Sequence, residues 1–102
     1  MKMILIYVPC KNEKEANNIS RYLLKMKFIA CANIFPIKSL YNWKGKIKNS
    51  KEIVMLAKTN QKNFSDCVKG IKKLHSYEVP CIIKLDVKTN KEYFDWSEKE
   101  LS

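Results

Sequence analysis

Any chemistry in this chain has to start from one histidine. His75 stands in the stretch LHSYEVPCII, residues 74–83, with a proline and one of the four cysteines close behind it. An imidazole near thiols and carboxylates serves metal ligation or nucleophilic catalysis. For catalysis His75 would act as base beside Ser76, Ser65 or a cysteine, with Glu78 or Asp86 orienting the ring. A lone histidine does not make that case, and the chain is read as a binding protein, not an enzyme. The third reading is structural: the stretch is the seam between a helix and a strand.

The cysteines, Cys10, Cys31, Cys67 and Cys81, contain no C-x-x-C, so neither a zinc ribbon nor a thioredoxin-like site is signalled. Nothing marks the chain as exported, and the four are read as free thiols, each a small apolar residue first. Two glycines, Gly45 and Gly70, are too few and too far apart for a phosphate-cradling loop. No nucleotide or organic cofactor is predicted.

The net charge of +10 raises nucleic acid as a partner. Arg21 is the only arginine among the twenty basic residues, whereas base and phosphate readout favours the planar guanidinium fork. The lysines are scattered, with one local density in KSLYNWKGKIKNSK. A solvated basic surface is the simpler explanation, and nucleic acid is not predicted as a partner.

These residues must be positioned by regular elements. Ile4 to Val8 form an apolar run ending at Pro9, a buried strand. Asn12 with Glu15 three residues on resembles a capping box, and Ala16, Ile19, Leu23 and Met26 follow at helical spacing. From Ala30 the pattern is extended through Trp43, and Pro36 in its middle marks a bulge, a bend or an unpaired edge position. Turn chemistry around Gly45 leads into a second apolar strand, Ile53 to Ala57, and the two strands pair as a hairpin. Phe64, Cys67 or Val68, Ile71 and Leu74 share the face of a helix over residues 61–74. Cys81, Ile83, Leu85 and Val87 alternate with Lys84 and Asp86 in a last strand, an alternation that favours burial of Cys81. Asn90 caps a short final helix carrying Tyr93, Trp96 and Leu101.

The order βαββαβ plus a helix predicts an α+β fold: a ferredoxin-like sandwich with two helices on one face of a four-stranded antiparallel sheet, in one domain over residues 1–102. An RNA-recognition module of the same order stacks bases on strand aromatics, and here the third strand has none while the first offers only Tyr7. No apolar stretch approaches the roughly 20 residues that span a bilayer. The reading is a soluble, cytoplasmic protein without membrane contact. Strands apolar on both faces need a second layer, which predicts a homo-oligomer.

The runs ACANIFPIKSLYNWKGKI, LAKTN, LHSYEVPCII and YFDW, in this order and spacing, resemble the CutA family of divalent-cation tolerance proteins over nearly the whole chain. The resemblance implies a cytoplasmic homotrimer with strand edges joined between neighbours. It also implies binding of divalent metal, copper foremost, with a role in metal tolerance or homeostasis. By the same resemblance Cys31, Tyr41, Trp43, Lys58, His75, Tyr77 and Glu78 gather at intersubunit clefts, with His75, Cys31 and Glu78 as the metal donors. Imidazole suits Cu(II) and thiolate suits Cu(I). The family's trimer is similar in shape to the PII signalling proteins, so a small ligand or protein partner at those clefts is the alternative. Two positions depart from the family pattern: Ser76 replaces the usual proline after the histidine, and Cys81 stands where a carboxylate or another residue is common.

Overall fold

The computed structural model describes residues Met1–Ser102. Its elements follow the order β1 (Lys2–Cys10), α1 (Glu13–Lys25), β2 (Cys31–Trp43), β3 (Lys46–Thr59), α2 (Gln61–Leu74), β4 (Ile83–Lys88) and α3 (Lys91–Glu100). The strands form one antiparallel sheet in the order β2-β3-β1-β4, the ferredoxin-like arrangement expected from the sequence.

Alternation along β1 decides which face is covered. Ile4, Ile6, Val8 and Cys10 point under α1 and α2 and are buried, joined there by Met55 and Ala57 of β3, Ala16, Ile19 and Leu23 of α1, and Cys67 and Ile71 of α2. The opposite face carries Leu5 and Tyr7, which lie opposite Leu85 and Ile83 of β4. Ile83 and Leu85 are each 44% exposed, so this face lacks a full second layer. α3 reaches one corner of it, where the Lys58 ammonium sits 5.0 Å over the Tyr93 ring. Cys81 precedes β4 and is exposed, against the burial expected from its alternation with Ile83 and Leu85. β4 begins only at Ile83, so Cys81 lies outside the strand, and the face that Ile83 and Leu85 share is one that the chain itself does not cover.

Both prolines within strands avoid the loss of a ladder bond in the same way. β2 is the sheet edge and pairs with β3 without interruption from Cys31 to Trp43, so Pro36 turns its missing N–H outward with no bulge. Pro9 lies inside β1 instead of ending it, but β4 covers β1 only as far as Tyr7. Beyond Tyr7 that side of β1 is open, and the Pro9 carbonyl there is free for a side chain. The β2–β3 hairpin closes on Lys44 and Gly45, both at positive φ, 50° and 78°, as a two-residue hairpin turn requires.

The close approach of the helices rests on Gly70. A Cβ at this position would meet Cδ2 of Leu23 and Cε2 of Tyr22, each at 3.0 Å. Leu23 is fully buried and has nowhere to move. Gly70→Val should therefore cost about 2 kcal/mol despite the better helix propensity, lowering the thermal midpoint by about 10 °C. A scanning calorimetry trace showing an unchanged midpoint would contradict the packing described here.

Candidate functional site

His75 is the C-cap of α2, its amide bonded to the Ile71 carbonyl at 2.9 Å. The ring turns back under the sheet end. Its Nε2 lies 2.8 Å from the Pro9 carbonyl on the open side of β1, and its Nδ1 lies 3.1 Å from the Tyr77 amide. A carbonyl only accepts and an amide N–H only donates, so these partners place the hydrogen of the neutral ring on Nε2 and its lone pair on Nδ1.

Glu15 comes to the same point from the other helix. The Asn12 side chain caps α1 by accepting the Glu15 amide at 2.9 Å. In a capping box the Glu15 carboxylate would return to the cap residue's own amide. Here it accepts the preceding amide, Lys11, at 3.0 Å and the Ser76 amide at 2.8 Å. Its Oε1 stands 3.9 Å from Nδ1 of His75. Burial pushes this carboxyl's pKa up, but the two amides and His75 outweigh it, and the group is held below the usual carboxylate value. Glu15 is thus a buried anion that ties the start of α1 to the end of α2.

Cys10 completes the cluster. It ends β1 on the covered face, fully buried, with its thiol directed to the Val8 carbonyl at 3.6 Å. Burial, with the carboxylates of Glu15 and Glu52 adding, pushes this thiol up to about 12. The donor atoms of Cys10, Glu15 and His75 lie within 4.8 Å of one another. Cys67, the other buried cysteine, takes no part; it donates to the Phe28 carbonyl at 3.3 Å and is pushed by burial up to about 11.

Outside the cluster, the Tyr77 ring lies tilted against the His75 ring, centroids 4.7 Å apart, and donates its hydroxyl to Glu52 at 2.7 Å. Ser39 holds the other oxygen of Glu52 at 2.6 Å. Burial, then Glu52, pushes the Tyr77 phenol well above its ordinary value. Glu52 borders an open groove of about 770 Å³ whose other walls include Lys11, Pro36, Lys38, Lys51 and Ile53.

The residues expected to form the site are only partly brought together. Tyr77 is beside His75. Glu78 is exposed in the same α2–β4 connection, and the carboxylate at the ring is Glu15. Cys31 is opposite Lys58, and Lys58 is opposite Leu5, so Cys31 belongs to the face away from the helices while Cys10 and His75 lie beneath them. Within one chain the sheet separates the two thiols. Lys58 shares the Cys31 face, bonded to the Tyr93 hydroxyl at 3.4 Å. Tyr41 and Trp43 stand exposed toward the hairpin tip, with the Tyr41 hydroxyl 3.0 Å from that of Ser50. From the sequence Cys10 stays open between ligand and buried thiol, and Glu15 is read only as a capping-box residue. The signals were present, since Cys10 continues the inward parity of Ile4, Ile6 and Val8, and Glu15 occupies the capping-box position.

An antiparallel ferredoxin-like sheet with a third helix, and a thiol, carboxylate and imidazole converging where the central strand meets both covering helices, defines a small α+β protein with one candidate metal cluster. The sequence matches the family described as CutA1 divalent ion tolerance protein over residues 4–100. The divalent-cation tolerance protein CutA of Archaeoglobus fulgidus is 40% identical over 92 residues, 89% of this chain and 90% of that one. The protein of the same name from Thermotoga maritima is 41% identical over 95 residues, 92% and 94% of the two chains. The solved structure of the Archaeoglobus protein, described as periplasmic, matches with a TM-score of 0.94 at 37% identity, covering 98% of this chain and 99% of the other. Pyrococcus horikoshii CutA1 gives 0.92 at 35% identity over 97% and 98%. The chain belongs to the CutA1 divalent ion tolerance family.

Proposed function

We propose that this protein is a homotrimer that binds divalent metal, copper foremost, in metal tolerance or homeostasis, and that it acts by binding and not by catalysis. The observation that carries the metal reading is the fixed tautomer of His75: the Nε2–H is held by the Pro9 carbonyl, so Nδ1 presents its lone pair beside a carboxylate and a thiol. A ligating histidine typically has its second nitrogen anchored in this way. An ion at Nδ1 takes the place of the Tyr77 amide, which lies in the exposed α2–β4 connection.

The trimer reading is supported by the half-covered sheet face and by the apolar side chains exposed on the hairpin. Tyr41, Trp43, Lys58 and Tyr77 are assigned to clefts between subunits. Cys31, which the sheet separates from its own His75, is proposed as a donor across such a boundary, and Glu78 as a donor from the exposed α2–β4 connection. Four free thiols suit a reducing compartment, and the cytoplasm is the proposed location. No helix is long and apolar enough to cross a membrane.

The test is titration of the reduced protein with Cu(II) against a competing chelator, with light scattering on the same sample. Three coppers per trimer, and at least about tenfold weaker binding in His75→Gln, are expected. Gln keeps a side-chain amide for the Pro9 carbonyl. Weak, non-stoichiometric binding would sink the metal reading. The second reading, a PII-like trimer that binds a small ligand or protein partner, would then lead. It is favoured by the groove itself, where Lys11, Lys38 and Lys51 form no ion pair.

A further inference from the structure

We infer that Cys10, Glu15 and His75 form a complete three-donor site for a borderline transition-metal ion within a single chain, resting on the reading that His75 is a metal ligand. Each donor comes from a different part of the fold: the end of the central strand, the first turn of α1 and the C-cap of α2. All three are buried, at 0%, 7% and 9% exposure, so their positions are set by packing and not by solvent-exposed rotamers.

The distances are close to what an ion needs. Donors around a tetrahedral ion at about 2.0–2.3 Å stand about 3.5 Å from one another. His75 Nδ1 and Glu15 Oε1 are already 3.9 Å apart, and the widest separation in the cluster is within 4.8 Å. Closing by about an ångström brings all three into range. Each Glu15 oxygen accepts one amide and keeps a second lone pair, so the carboxylate can ligate without releasing Lys11 or Ser76. The His75 Nε2–H bond to Pro9 stays intact and orients the ring. Only the bond from the Tyr77 amide to Nδ1 and the weak thiol contact to Val8 are given up.

The charges select the class of ion. Carboxylate, thiolate and neutral imidazole sum to −2, which a divalent ion neutralises in a buried place where net charge is costly. Cys10 loses its thiol proton as the sulfur–metal bond forms, so one H⁺ leaves per ion bound. A nitrogen, sulfur and oxygen set suits Zn(II), Co(II) or copper and not Mg(II) or Ca(II), which take oxygen donors. A fourth position is left for water or an exogenous donor. The groove lies beside the cluster, since Lys11, next to Cys10 in sequence, and Ile53, its partner across the strands, both line it.

The probe is Co(II) alone, added to the reduced protein. One Co(II) per chain is expected, with an intense near-ultraviolet thiolate-to-metal band, release of one proton and faster amide exchange at Tyr77. Cys10→Ser should abolish the band and weaken binding at least about tenfold, and Glu15→Gln should weaken it similarly while keeping the band. Cys81→Ser, which removes an exposed thiol outside the cluster, should change neither. Melting each metal-free variant separates lost binding from lost folding, and Cys10→Ser, nearly isosteric, keeps the test decisive if Glu15→Gln unfolds. A band that survives Cys10→Ser but disappears in Cys31→Ser and His75→Gln would overturn this inference and leave the His75 reading standing. Absence of stoichiometric binding for Co(II) and Cu(II) alike would overturn both.

Discussion

Glu15→Ala should lose about 2–3 kcal/mol of stability in metal-free buffer at pH 7. The carboxylate accepts the Lys11 and Ser76 amides and faces the His75 ring, so removing it leaves two part-buried amides without their acceptor, while both ring nitrogens keep their own partners. An orphaned donor that water partly reaches costs at the low end of about 1–3 kcal/mol, so two of them come to about 2–3 kcal/mol. Glu15→Gln should lose roughly half as much, because one oxygen still accepts while the NH2 meets a donor. The folded-state pKa of Glu15 is depressed, so its stabilisation is complete above the unfolded value of about 4.3 and is lost as pH falls through the folded value. The gap between wild type and Glu15→Gln should therefore close on acidification. Urea melts at pH 7 and pH 3 measure it; a gap of equal size at both would mean that the carboxylate's charge contributes nothing.

The fold was legible because each element carried its own signal. The helix α2 runs over residues 61–74 as its spacing predicts, and Asn12 and Asn60 accept amide bonds as caps at 2.9 and 3.0 Å. Asn90 precedes α3 but makes no side-chain cap bond. Strand ends were less legible. β1 reaches Cys10 and not Val8, because a proline stops a strand only where its missing N–H faces a partner, and pairing partners are a property of the sheet and not of the run. β3 begins at Lys46 although its first half is lysine-rich, because a tight turn at Gly45 sets the register and carries polar residues with it.

The site was less legible than the fold for a related reason. Sequence spacing places residues along elements, whereas a cluster depends on which ends of different elements meet. His75 was identifiable as the only imidazole. Its neighbours are set by the 4-1-3-2 strand order, which brings the end of β1 and the start of α1 beneath the end of α2. Parity in β1 assigns Cys10 to the covered face, and the same reasoning in β2 assigns Cys31 to the other; neither can be evaluated without knowing the pairing register. The resemblance to relatives emphasised the residues shared with them, and Cys10 and Glu15 were not among those carried over.

Leu85→Glu should convert the proposed trimer to monomer at micromolar concentration. Leu85 and Ile83 are each 44% exposed on the face that α1 and α2 do not cover, beside Leu5 and Tyr7. A carboxylate there is harmless in a monomer and costs about 3–5 kcal/mol if a neighbour buries it without a partner, roughly a thousandfold in association per interface. The hairpin supplies an independent readout. From Ile37 opposite Glu52 to Trp43 opposite Lys46, β2 and β3 pair only with each other, since β1 pairing ends at Ile53. A two-stranded arm with Leu40 and Ile47 at 68% and 77% exposure is marginal in water on its own. A second copy gripping the arm would hold it, so dissociation should accelerate amide exchange over residues 37–52 while leaving β1 protected. Sedimentation and hydrogen exchange on wild type and Leu85→Glu test both parts. A wild-type monomer would refute the assembly, and a Leu85→Glu trimer with an unchanged arm would place the interface on another face.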